Sequence, residues 1–370
     1  KSSGGPITAD NSGAEVYCTI FAFRESPHEP GVFWAGSDDG LVHLSRDGGQ
    51  TWQNVTPPDL PEWATVAILE PSPHDPATCY LAAHNYRLDD PRPYLYKTSD
   101  YGRSWTRITE GIPADDFTRV IRADPVRWGL LYCGTETGVY VSFDDGGHWQ
   151  RLQSNLPVCP IYDLVVKDSD LVVATHGRSF WILDDLTPLR QYEPEQLEQP
   201  AYLYQPRPTV RWRFYGRGFY RHPKTANYKM TGPVTVTYRL RETPMGTNGE
   251  EFLDAGKNPP DGAIIHYYLK EEPADEVTLS ILDEQGNVIR TFSSKSEEPP
   301  RVPVQAGMNR FVWDLRHEGA TKLEGPAKRD RFEQALEIAV RPRALPGRYQ
   351  VQLKVGETVL AQSFEVVRDP

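Results

Sequence analysis

The sequence predicts an all-β protein, with about four blades of a β-propeller followed by a β-sandwich. Three observations carry this reading. A box of pattern Ser/Thr-x-Asp-x-Gly-x-x-Trp is written three times, as SRDGGQTW (45–52), TSDYGRSW (98–105) and SFDDGGHW (142–149). About four short apolar runs recur in every 45 or so residues, with no helical periodicity, which is the signature of a propeller blade. From about residue 261 a second β pattern begins, marked by hairpin turns.

The blades occupy residues 1–190. Trp52, Trp105 and Trp149 close the boxes at intervals of 53 and 44 residues. Upstream of each box, ESPHEPGVFWAG (25–36), PSPHDPATCYLA (71–82) and RADPVRWGLLYCG (122–134) give a proline-marked turn and then a strand. Before those, VYCTIFAF, WATVAILE and FTRVIRA read as a further strand each. A fourth unit, IYDLVVK, DLVVATHG and SFWILDD, keeps the strands and lacks a complete box. The longer interval contains an insertion, HNYRLDDPRPY (84–94), expected to form a long loop at one rim.

Residues 191–260 read as a linker and a basic, aromatic segment. Residues 261–370 hold AIIHYYL, EVTLSIL, VIRTF, NRFVWDL, GRYQVQLKV and TVLAQSFEVV, enough strands for an immunoglobulin-like sandwich. DRFEQALEI (330–338) is expected as a short helix between strands.

The box suits a turn between antiparallel strands. Asp47 can accept hydrogen bonds from the backbone of its own turn. Gly49 adopts positive φ without a Cβ clash, and Trp52 starts the next strand and fills a wedge between blades. Asp100, Gly102 and Trp105 repeat these roles, as do Asp144, Gly146 and Trp149. A catalytic carboxylate is needed once or twice, not once per blade, so the repetition points to structure.

Composition narrows the partners. The net charge is −11, which argues against nucleic acid, because phosphate binding needs a basic footprint. No run of apolar residues is long enough to span a membrane. The opening KSSGGPITADNSGAE has no apolar core, so it is not a signal peptide, and a preceding part is expected. Cys18, Cys79, Cys133 and Cys159 form no CxxC pair, so zinc fits poorly and buried free thiols are the expectation. The DDG sequences lack the spacing of a calcium loop, and no phosphate loop, HExxH or GxSxG occurs. No metal and no cofactor is expected.

The boxes resemble those of the Asp-box, or BNR-repeat, superfamily, which includes sialidases, xyloglucan-cleaving enzymes, sortilin-type receptors and photosystem-assembly propellers. GPITADNSGAE, WAGSDDGLVHLSRDGGQTW, GTETGVYVSFDDG and ATHGRSFWILDDL resemble large secreted bacterial proteins often named BNR-repeat glycosyl hydrolases. NPPDGAIIHYYL and AGMNRFVWDLRHEGA resemble their C-terminal immunoglobulin-like region. The resemblance implies an extracytoplasmic bacterial protein. It also implies a propeller of more than four blades, so that further blades come from another fragment or subunit.

Candidate site residues follow from the blade ends. Asp38 and Asp39 in GSDDG end a strand, where relatives bind ligands. Glu136 in GTETG and His176 with Arg178 in THGR take the same place in later blades. Asp39 and Glu136 are thus the candidate acid and base of a glycosidase, since paired carboxylates do that work. The alternative is a tight turn with solvated carboxylates. In residues 207–229, Trp212 and Tyr215 stand among arginines and could stack on sugars or bind acidic glycans; packing within a linker is the alternative. Two functions remain open: recognition of glycan or protein, and glycoside hydrolysis.

Overall fold

In the computed structural model the chain forms two compact units, Lys1–Leu186 and Thr187–Pro370. The structure describes residues 1, 4–7, 17–212, 226–231, 234–242, 248–253, 256, 259–318 and 342–369. The candidate Tyr215 and the helix expected at 330–338 lie outside these residues.

The first unit is four antiparallel sheets in series. Blade 1 consists of β1 (Ile20–Glu25), β2 (Phe33–Ser37), β3 (Val42–Ser45) and β4 (Gln53–Asn54). Blade 2 consists of β5 (Thr65–Pro71), β6 (Cys79–Asn85), β7 (Asp90–Thr98) and β8 (Thr106–Arg107). Blade 3 consists of β9 (Thr118–Ala123), β10 (Leu131–Thr135), β11 (Val139–Ser142) and β12 (Gln150–Arg151). Blade 4 has three strands, β13 (Ile161–Lys167), β14 (Asp170–Thr175) and β15 (Phe180–Leu183). The insertion at 84–94 lengthens β7 and adds one short helical turn, Tyr86–Leu88.

The first strands β1, β5, β9 and β13 pack side by side. Alternation then sends one face of each sheet to the preceding blade and the other to the following blade. Val66 and Leu69 of β5 face back to Gly36 of blade 1, with no room for a side chain there. Ile121 does the same against blade 2, inside a cluster with Tyr80, Ala82 and Leu95.

The box turns tie these blades together. In each, Ser45, Thr98 or Ser142 donates its hydroxyl to the Asp at 2.9, 2.8 and 2.7 Å. That hydroxyl also accepts the amide of Gly49, Gly102 or Gly146 at 2.9 Å. The Asp accepts the amide of Thr51, Ser104 or His148 at 2.9 Å. The carboxyl of Asp47 is lowered to about 2, first by the Thr51 hydroxyl and amide. Gly102 and Gly146 press against Val55 and Ile108 of the preceding blade so closely that a Cβ would clash. Trp105 Nε1 donates to Val55 O at 2.7 Å, and Trp149 Nε1 to Ile108 O at 2.8 Å.

Blade 1 lacks this back-packing among the described residues. Trp52 Nε1 turns to its own loop, Gly49 O at 3.1 Å, and the side chain is 42% exposed, against 1% for Trp149. Ile20 and Phe23, the counterparts of buried Val66 and Leu69, are 66% and 52% exposed. On the far side of blade 4, Phe180 and Ile182 are 76% and 57% exposed.

Two further devices cross the seams. His28 and His74, in the SPH turns, reach Ser72 O at 3.2 Å and Asp124 O at 2.7 Å in the next blade. Arg122 is buried and joins three blades, bonding Glu70 Oε2 at 3.0 Å, Asp163 Oδ1 at 2.6 Å and Leu164 O at 2.7 Å.

In the second unit, β16 (Ala201–Leu203), β21 (Ala263–Leu269) and β24 (Gly307–Trp313) form one sheet. β17 (Thr209–Arg211), β22 (Val277–Asp283), β23 (Val288–Ser293), β25 (Gly347–Val355) and β26 (Thr358–Arg368) form another. Both sheets supply one core that includes Leu203, Ile265, Trp313, Leu279, Val351 and Phe364. This is a two-layer β-sandwich, and it takes β16 and β17 from the segment expected to be linker. The remaining strands, β18 (Asn227–Thr231), β19 (Val234–Glu242) and β20 (Asn248–Phe252), form a separate sheet. All four cysteines are free, and only Cys18 is exposed.

Candidate functional site

Antiparallel pairing puts the start of each first strand beside the end of each second strand. The box turns follow third strands, so they lie at the opposite end of the blades. The mouth away from the boxes is therefore built from residues after β2, β6, β10 and β14.

Register defines the equivalent positions there. Ser37, Ala83, Thr135 and Thr175 pair with Ile20, Val66, Thr118 and Ile161. The residues that follow, Asp38, His84, Glu136 and His176, are one per blade. The amides of Asp38, Glu136 and His176 make the same bond, to Thr19 O, Phe117 O and Pro160 O at 3.1, 3.1 and 2.9 Å. The sequence pairs Asp39 with Glu136 as candidate acid and base; the strand register makes Asp38 the counterpart of Glu136. It also adds His84, the first residue of the insertion.

Asp38 is committed to its own loop. It accepts the amides of Tyr17 at 3.0 Å and Thr19 at 2.9 Å. Asp39 is buried one residue further on, accepting from Ser37 Oγ, 4.0 Å from Lys1 Nζ. Neither carboxylate faces an open cleft.

Blades 2, 3 and 4 build something different around Arg119. This residue sits at the bulge of β9, where the register with β10 shifts and aims the side chain into the mouth. Its Nε and Nη2 donate to Glu136 Oε2 at 2.9 and 2.6 Å. Its guanidinium lies 4.3 Å from the Tyr162 ring centre, 4.8 Å from Phe117 and 5.4 Å from Tyr86. Tyr162 is the bulge residue of blade 4, and its ring stands 4.9 Å from His176. Tyr86 and Phe117 stack at 4.9 Å, and His84 packs on both, at 4.9 and 5.9 Å. Tyr86, Tyr162 and His176 are open to solvent.

His84 is 5% exposed, and its Nδ1 has no hydrogen-bond partner. Burial, then the charges of Arg119 and Arg87, lower its pKa to about 3. It is a neutral imidazole at ordinary pH. Arg178 Nη1 donates to Gly177 O at 3.0 Å. Trp212 is 54% exposed in the second unit, with its carbonyl held by Arg343 Nη1 at 2.9 Å. Among the described residues no group of acidic, histidine or cysteine side chains is placed to hold a metal.

Around Arg119 the mouth therefore presents aromatic faces, guanidinium groups and imidazole edges, with the carboxylate of Glu136 engaged by Arg119. Such a surface can stack on planar or sugar rings and attract acceptor groups. Arg119 was not visible as a site residue in FTRVIRA, because a bulge breaks the alternation that assigns faces. Tyr162 was hidden for the same reason.

The sequence matches no protein-family model and no curated protein. The chain matches solved structures of propeller proteins. The GH74 xyloglucanase from Xanthomonas campestris is 13% identical, covering 92% of this chain and 45% of its own, with a TM-score of 0.36. The GH74 enzyme of Niastella koreensis is 11% identical, covering 94% and 53%, with a TM-score of 0.36. YCF48 from Cyanidioschyzon merolae is 16% identical, covering 45% and 53%, with a TM-score of 0.34. The chain thus spans about half the length of these structures.

Proposed function

We propose that this chain is a recognition or scaffolding module that acts outside the cytoplasm, binds glycan or protein at the mouth of its blades, and belongs to a larger propeller assembly. The observation that carries this is the Arg119 cluster. Three blades contribute aromatic rings to one guanidinium, while the candidate carboxylates are otherwise occupied. Hydrolysis of a glycoside needs two carboxyl groups about 5–10 Å apart across an open cleft. Asp38 and Asp39 serve backbone and neighbouring groups, and Glu136 serves Arg119. The exposed outer faces of blades 1 and 4 support the view that further blades complete the ring.

The test uses the full chain with a panel of neutral and acidic oligosaccharides and immobilised proteins. Saturable binding is expected for at least one, weakened about tenfold or more by Arg119→Ala or Tyr162→Ala, a loss typical of a central interface residue. No reducing ends should be released from any oligosaccharide. Release of reducing ends that Glu136→Gln abolishes would replace this reading with the hydrolase.

A further inference from the structure

Blade 4 has three strands where the other blades have four. Beside the gap, between blades 3 and 4, runs a groove of about 400 Å³, its open side included. Its apolar lining includes Val139, Leu152, Leu156, Leu171, Val173 and Trp181.

Each of these six has a counterpart one blade earlier. Leu152 donates its amide to Val139 O at 2.8 Å as Ile108 does to Leu95 O at 2.9 Å. Leu156 closes a turn on Gln153 as Ile112 does on Thr109. By strand register, Leu171, Val173 and Trp181 replace Leu131, Cys133 and Tyr140. Those six counterparts, Leu95, Ile108, Ile112, Leu131, Cys133 and Tyr140, share one buried cluster with Trp149. The groove is lined as a tryptophan socket is lined in the preceding seam.

The edge of β15 is prepared as well. Thr175 N bonds Ser179 O at 3.3 Å, so alternate residues from Ser179 face β14. Phe180 and Ile182 then turn their backbone groups to the other edge, where β11 meets β12 in blade 3. Among the described residues no strand lies there. Asp185 N bonds Asp170 Oδ1 at 2.9 Å, Leu186 N bonds Ser169 O at 2.6 Å, and a helix begins at Thr187.

The geometry points to a docking site for an extended segment of a partner polypeptide, which adds to β15 as a fourth strand and seats an indole in the groove. The fourth strands present share one pattern: WQNV (52–55), WTRI (105–108) and WQRL (149–152). The partner segment is therefore Trp-polar-polar-aliphatic, with its indole N–H directed at Leu152 O, the counterpart of Ile108 O. Strand addition supplies main-chain bonds, and the pocket supplies selectivity. The inference rests on the reading that the chain is part of a larger propeller assembly.

The probe is a fluorescein-labelled peptide, GGHWQRLQS, the sequence of residues 146–154, titrated with the full chain and read by anisotropy. Saturable binding is expected, at least about tenfold weaker for the peptide with Trp→Ala. The chain variant Ile182→Pro, which removes an edge amide that a free edge strand tolerates losing, should weaken binding as much without lowering the melting temperature. If Ile182→Pro does not fold, Leu156→Arg at the groove wall serves the same purpose. Absence of saturable binding, or binding indifferent to these changes, overturns the proposal. A dimer of the chain that the peptide dissociates and Ile182→Pro abolishes would overturn the partner's identity in favour of a second copy. Oligosaccharide and protein binding, with its Arg119→Ala control, is measured on the same samples, so failure at the mouth and failure at the groove are told apart.

Discussion

His84 shows how one buried side chain can set an acid limit. In the folded chain its imidazole is kept neutral, with a pKa of about 3 against an ordinary 6.5, first by burial and then by Arg119 and Arg87. Below about pH 6.5 the unfolded chain binds a proton that the folded chain refuses. Stability is therefore fully present above that pH and declines as pH falls toward about 3. Between pH 7 and pH 4 this group alone costs about 3 kcal/mol. The His84→Phe variant should lose that much less over the same interval, in urea unfolding at the two pH values. Parallel pH dependence in the two proteins would show that His84 is not the group responsible. None of this was legible in HNYRLDD, because the histidine's burial depends on Phe117 and Arg119, more than thirty residues away.

At the scale of the element, the boxes were the most legible feature, since a thrice-repeated turn needs no tertiary context to be recognised. What their tryptophans do was legible only in part. Trp105 and Trp149 bond the blade behind them, while Trp52 bonds its own loop. The pattern is the same in all three; the neighbour differs. Trp149→Ala should therefore cost about 3–5 kcal/mol, as for a large buried core residue. Trp52→Ala should cost under about 1 kcal/mol, as for an exposed site. Thermal or urea denaturation of the two variants checks this, and equal losses would contradict it. Other elements escaped the sequence for physical reasons. β16 and β17 are three residues long and too short to show alternation. The bulges of β9 and β13 rotate Arg119 and Tyr162 into the mouth, where a regular strand would have placed them elsewhere.

Across the first unit, one seam is used again and again. Apolar residues of a first strand press back, a box glycine leans on the previous fourth strand, an indole crosses, and a histidine reaches forward. The full seam joins blade 1 to blade 2 and blade 2 to blade 3; between blades 3 and 4 the first-strand packing of Ile161 on Gly134 and the Arg122 bonds remain, without a box glycine or a crossing indole. An array of units that contact only their neighbours has a stability that sums over units and seams. The terminal units must then open at lower free energy than the inner ones. Hydrogen–deuterium exchange of the full chain should read this as a gradient along the sequence. Amides of β6 and β10 should be the last to acquire deuterium, and those of β2 and β14 should precede them. Uniform protection of all four blades in the isolated chain would mean that something other than the seams holds them.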